Sequence, residues 1–199
     1  MAMNDFEITN IKKYLERGKA GEEELKLLFS RYACPLNPDV ERFLVHQSID
    51  FTKRNLSVTY IVVAKDSDEL VGYFTLTIKP ISVNASVFSK TMQRKIERVS
   101  EVNDQTGEYI LAAYLIAQLG KNYKDGMNER ITGAQLLQSA IDVIRETQYR
   151  LGGTVVFLET DNVDKLIAFY EDNGFKRFAV RKAGGTQDQH KLVQLLKVM

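Results

Sequence analysis

The spacing of apolar residues changes near residue 57, dividing a helix-patterned beginning from a strand-rich remainder. Between 6 and 17, Phe6, Ile8, Ile11 and Leu15 stand among charges, which suits a short surface helix broken by Gly18 and Gly21. The apolar run at 25–29 fits a helix or a strand equally well. Pro35 and Pro38 mark a loop. Beyond it Val40, Phe43, Leu44, Gln47 and Phe51 fall near one helical face. An amphipathic helix is predicted over 38–53, capped by Asn37 or Asp39, with His46 beside its apolar face.

Residues 58–64 (VTYIVVA) are β-branched and aromatic, and 70–81 alternate, with Leu70, Phe74, Leu76 and Ile78 pointing one way. Two such runs around the polar turn 65–69 predict an antiparallel hairpin. A polar, basic helix is expected over 84–99, then a loop over 102–108. The continuous apolar run 110–119 predicts a central strand buried on both faces. Leu136, Leu137, Ala140, Ile141, Ile144 and Leu151 form a helical stripe over 132–151, ended by Gly152 and Gly153. A strand (154–159), a helix (163–172) closed by Asn173-Gly174, and two strands (175–181 and 191–198) around a turn at Ala183-Gly184-Gly185 complete the pattern. The fold class is therefore α/β, a mixed sheet with helical crossovers.

Composition narrows the function classes. With 27 Lys+Arg against 26 Asp+Glu the net charge is +1, but residues 176–199 carry +5 and the rest −4, an asymmetry that can mark an anion-facing surface. The longest apolar stretch, 109–117, is too short for a membrane span, which needs roughly 20 residues, so no membrane association is expected. The first ten residues lack the apolar segment of a secretory signal. Cys34 is the only cysteine, and His46 and His190 are the only histidines, so a metal-free protein of a reducing, cytoplasmic compartment is expected.

Two features carry chemistry. The strand–loop–helix unit opens its helix at Arg130-Ile131-Thr132-Gly133-Ala134, where free amides and the helix dipole favour a phosphate. The second is Asn162-(x)6-Phe169-Tyr170-(x)3-Gly174-Phe175, a helix closed by a glycine cap, with a tyrosine near its end. In this order they resemble the GNAT superfamily of acetyl-CoA-dependent N-acetyltransferases, whose phosphate-binding pattern is Gln/Arg-x-x-Gly-x-Gly/Ala. Asn128 to Gly133 occupy that pattern here, with Asn128 for Gln/Arg and Ile131 for the first glycine. The Tyr170 and Gly174-Phe175 spacing matches the second motif, with Leu166 in place of its alanine. Upstream, Phe29-(x)4-Cys34-(x)8-Phe43-Leu44, Thr59-Tyr60 and Val71-Gly72-Tyr73-Phe74-Thr75-Leu76 resemble the acetyltransferase toxins of bacterial toxin–antitoxin pairs, although Pro35 follows Cys34 where they carry glycine.

The resemblance implies a GNAT-like fold: a twisted, mostly antiparallel central sheet with a splayed strand pair, flanked by helices. It implies a single N-acetyltransferase domain, with a helical part over 1–56 and the main acetyl-CoA-binding part over 57–199. Leu119, Gly120 and Lys121 would hold the pantetheine arm by their backbone, Arg130, Ile131, Thr132, Gly133 and Ala134 the diphosphate, and Asn162 the cofactor arm. Tyr170 would protonate the departing thiolate, and Glu108 is a candidate base. The implied partners are acetyl-CoA and an amine acceptor, in the toxins an aminoacyl-tRNA, with a homodimer and an antitoxin-like protein as further candidates. The departures at Asn128 and Ile131 leave a second reading open, a degenerate fold that binds or regulates without turnover.

Overall fold

The computed structural model, which describes residues 5–182 and 191–199, opens on a strand, β1 (Phe6–Asn10), where the apolar spacing predicts a helix. β1 runs antiparallel to β2 (Val58–Ala64), with Phe6 opposite Ala64 and Asn10 opposite Tyr60. This ladder satisfies the backbone while burying Phe6 and Thr9. The following α1 (Lys12–Leu15) is one turn long, and α2 (Lys19–Phe29) runs straight through Gly21. That glycine does not break the helix. A Cβ there would strike the Tyr14 carbonyl, so its absence lets α1 lie close. Gly18, at φ +66°, makes the break.

The predicted helix over 38–53 forms in three pieces: α3 (Pro38–Arg42), a wide π-turn (Phe43–Gln47) and α4 (Ser48–Lys53). Asn37 caps it, its side chain accepting from the amides of Asp39 and Val40. Val40, Phe43 and Leu44 face the core with Leu25, Phe29 and Tyr73.

β2 pairs antiparallel with β3 (Glu69–Asn84), as the alternation predicts, with one register shift at Val62/Val63. Tyr60 stacks on Phe74 at 5.2 Å, and the Thr59 and Thr75 hydroxyls meet at 2.9 Å across the ladder. The one-sided reading of β3 fails at both ends: Leu70 to Thr75 are buried on both faces, whereas Ile78 is exposed. The expected helix over 84–99 contracts to a 3-10 turn (Ala85–Val87) and α5 (Lys90–Ile96). The expected loop contains a two-residue strand, β4 (Val102–Asn103), paired with the start of β5 (Glu108–Lys121).

A kinked 3-10 segment (Lys124–Glu129) leads to α6 (Gly133–Leu151), then β6 (Val155–Asp161), α7 (Asp164–Asp172), β7 (Lys176–Lys182) and β8 (Lys191–Val198). The turn predicted at Ala183-Gly184-Gly185 lies outside the described residues. The strand order is β1-β2-β3-β5-β6-β8-β7, with β4 on β5: a mostly antiparallel mixed sheet with helices. The chain forms two compact units. One takes the described residues of Met1–Thr77 and Ile116–Arg150; the other takes those of Ile78–Leu115 and Leu151–Met199. Among the described residues no helix is long and apolar enough to cross a membrane.

Candidate active site

In the first unit, the end of β5 is fixed by Asn122, a residue that motif reading passes over. It is 2% exposed and makes four side-chain hydrogen bonds. Its Oδ1 accepts from the amides of Ala33 and Lys124, each at 3.0 Å. Its Nδ2 donates to the carbonyls of Arg31 (2.9 Å) and Leu70 (2.8 Å). One side chain thus joins the loop after α2, the start of β3 and the turn after β5.

Immediately before it lie Leu119, Gly120 and Lys121. Gly120 is buried, and a Cβ there would collide with the Tyr32 hydroxyl and lie 2.5 Å from Val40 Cγ1. Tyr32 packs edge-on to Tyr73 at 5.3 Å, its hydroxyl buried. Burial drives this phenol far above its ordinary pKa. Gly72, within the V-G-Y-F-T-L run, lets the Gly120 carbonyl and Leu136 approach β3: a Cβ there would sit 3.0 Å from that oxygen. Gly120→Ala should therefore overpack this contact and destabilise the protein by about 1–3 kcal/mol, measured by urea unfolding.

The start of α6 is organised by a capping box. The Thr132 amide donates to Gln135 Oε1 (2.9 Å), and the Gln135 amide donates to Thr132 Oγ1 (3.1 Å). The T-x-x-Q spacing would have shown it in the sequence. The amides of Gly133 and Ala134 have no acceptor among the described residues, and Ala134 is exposed. These two donors, on a 19-residue helix, suit an anion.

The other residues expected here behave differently. Ile131 is 1% exposed, so its side chain anchors the turn in the core. The Arg130 amide donates to the Met127 carbonyl, and its guanidinium holds both carboxylate oxygens of Asp66 at 2.5 Å and the Ser67 hydroxyl at 2.8 Å. The Arg130 hydrogen bonds lower the Asp66 pKa. Arg130 therefore ties the β2–β3 turn to the approach of α6. Lys121 Nζ donates to the Asn128 carbonyl at 2.8 Å, closing the other side of that approach. Arg130→Gln should change acetyl-CoA affinity by less than about threefold, the scale of an exposed pair, measured by calorimetry.

In the second unit, α7 ends at a left-handed glycine, Gly174 (φ +85°). The Tyr170 carbonyl accepts the amides of Asn173 and Phe175, each at 3.1 Å. This cap brings buried Phe175 to 6.0 Å from the half-buried Tyr170 ring, which also meets Phe169 at 5.0 Å. Burial pushes the Tyr170 phenol up to about 12. The Tyr170 phenol is thus neutral at ordinary pH. Asn162 is exposed in the turn between β6 and α7. Glu108 begins β5, opposite Asn103. Among the described residues no cluster of potential metal ligands occurs, and Cys34 is buried and free.

No protein-family profile matches the sequence, and no curated protein does. Solved structures do. The chain is similar to AtaT complexed with acetyl-methionyl-tRNAfMet, at 17% identity and a TM-score of 0.64, covering 95% of this chain and 94% of that one. It is similar to AtaTR bound with acetyl-CoA, at 15% identity and a TM-score of 0.57, covering 98% and 94%. A third similar structure is an acetyltransferase of the GNAT family from Desulfovibrio desulfuricans, with 16% identity, a TM-score of 0.54 and coverage of 97% and 98%. The fold is that of the GNAT acetyltransferases, and it extends over the N-terminal helices as well as the motif-bearing half.

Proposed function

We infer that this chain is an acetyl-CoA-dependent N-acetyltransferase whose acceptor is the amino group of an aminoacyl-tRNA. The observation that carries the reading is Tyr170, a neutral phenol held by the Gly174 cap and two aromatic rings at the point where the family resemblance expects the acid. Acetyl-CoA brings an activated thioester. The open amides of Gly133 and Ala134 fit its diphosphate, and the backbone of Leu119 to Lys121 is the segment for its arm. A strand amide near the reacting carbonyl would stabilise the oxyanion that forms as an amine attacks. Tyr170 would supply the proton that the leaving thiolate takes up. Asn162 is the remaining candidate for the cofactor arm. The tRNA acceptor is supported by the likeness to AtaT, whose structure holds acetyl-methionyl-tRNAfMet.

The test combines calorimetry with acetyl-CoA and transfer of labelled acetyl to charged tRNA. Binding with transfer supports the reading, and no binding overturns it. The Arg130–Asp66 pairing and the buried Ile131 favour one rival, a binding module that takes up acetyl-CoA without releasing CoA. That rival would show heat of binding with no labelled product.

A further inference from the structure

Half of the cations at 53–54 and in the C-terminal strands are neutralised by ion pairs within the fold, whereas Lys176, Lys182 and Lys191 are exposed and make none among the described residues. Lys53 pairs with Glu22, whose pKa falls to about 2, chiefly through its hydrogen bond to Lys53. Arg54 pairs with Asp50 at 3.3 Å. In the C-terminal strands Arg177 holds Glu171 at 2.8 Å, Arg181 holds Glu159 at 2.6 Å, and Lys197 donates to the Asn173 carbonyl.

The segment around α5 gathers its unpaired cations more densely. Between residues 79 and 98 stand Lys79, Lys90, Arg94, Lys95 and Arg98 against one acid, Glu97, whose carboxylate accepts the buried Tyr109 hydroxyl at 3.2 Å. Lys90, Arg94, Lys95 and Arg98 are all exposed, and none makes an ion pair among the described residues. The helix is held firmly from below. Ile96 and Phe88 are buried, Phe88 meets the Tyr109 ring at 6.1 Å, and Gln93 Nε2 donates to the carbonyls of Ala85 and Phe88.

Anchored this way, Lys90 and Arg94 stand four apart, about 5–6 Å from each other on one face of α5, and Arg98 lies in the turn that follows. Local physics favours Arg94 and Lys95, cations in the last turn, but disfavours Lys90. It repels the like charge of Arg94 four residues on and sits in the first turn, where the dipole prefers an acid and none is present. A locally unfavourable arrangement on a well-anchored element points to function. The face also lacks the aromatic core of a protein interface, and its Lys/Arg content is that of a nucleic-acid contact.

We propose that the exposed cationic surface formed by Lys90, Arg94 and Lys95 of α5 and Arg98 of the turn after it is the docking surface for the phosphate backbone of an RNA. This rests on the aminoacyl-tRNA reading above and assigns that partner a surface. The test titrates fluorescent deacylated bulk tRNA against the full chain at several salt concentrations. One variant carries Lys90→Gln, Arg94→Gln, Lys95→Gln and Arg98→Gln; a control carries Lys176→Gln, Lys182→Gln and Lys191→Gln. The α5 variant should bind at least about tenfold more weakly and lower the log K against log salt slope by about 3, at about 0.7–0.9 per phosphate contact. The control should change little. Unchanged α5-variant binding, equal losses in both variants, or a wild type that ignores tRNA would overturn the proposal. Poly-glutamate binding as tightly as tRNA would also overturn it and assign the face to an acidic protein. Should the fourfold variant unfold, Lys90→Gln with Arg98→Gln decides at about half the slope change. Acetyl-CoA calorimetry on the same samples separates the two readings: tRNA binding lost in the α5 variant of a chain that binds no acetyl-CoA keeps the surface and removes the enzyme.

Discussion

Tyr170→Phe should lower turnover by about 10²–10⁴, the usual contribution of one positioned proton donor, while acetyl-CoA binds as before. The substitution removes only the hydroxyl. The ring contacts with Phe169 and Phe175 and the Gly174 cap survive, so a loss of rate would report proton transfer rather than collapse of α7. The phenol is pushed up to about 12, so the wild-type rate should show no falling limb near pH 10, where an ordinary tyrosine ionises. The same shift bears on stability. A folded-state pKa above the ordinary value contributes stabilisation that is complete below pH about 10 and is lost as pH rises through the folded value. Unchanged turnover in the variant would remove Tyr170 from the proton path.

Asn122→Ala should cost about 3–4 kcal/mol of folding stability. The truncation deprives the amides of Ala33 and Lys124 of their acceptor and the carbonyls of Arg31 and Leu70 of their donor. A buried group left unpaired costs about 1–3 kcal/mol, and the partly exposed members recover some of this through water. Urea unfolding at an unchanged m-value would measure the loss. Asn122→Asp should also destabilise, because a carboxylate cannot donate to the two carbonyls. If Asn122→Ala unfolds at the wild-type midpoint, the three segments are held by their backbone contacts alone.

Long elements were legible because many residues voted for one period. The stripe from Leu136 to Ile144 gave α6, and the apolar run gave β5, although burial on both faces holds only over 113–116, Ile110 and Ala112 being exposed. Short elements were not. β1 has five residues, too few to distinguish a period of two from 3.6, and its pairing with β2 is a long-range fact. Gly21 misled for a related reason: its role is the closeness of Tyr14, which no local rule contains. In the candidate site, the spacing of Tyr170 and Gly174-Phe175 was readable because a C-cap is local. The engagement of Arg130 was hidden, since its partners Asp66 and Ser67 lie more than sixty residues upstream. Charge counting had the same weakness. It marked the C-terminal strands as basic but could not show that Arg177 and Arg181 meet carboxylates while the cations around α5 meet none among the described residues.

The wide turn at Phe43–Gln47 has a bearing on how this region tolerates changes in length. An α-helix advances about 100° per residue, so deleting one residue there would let a regular helix re-form without rotating Ser48 and Thr52 away from the interior they now occupy. Insertion at the same place would have no such outlet. A one-residue indel is usually absorbed by a loop; in this chain a helix offers the slack, and it accepts shortening more readily than growth.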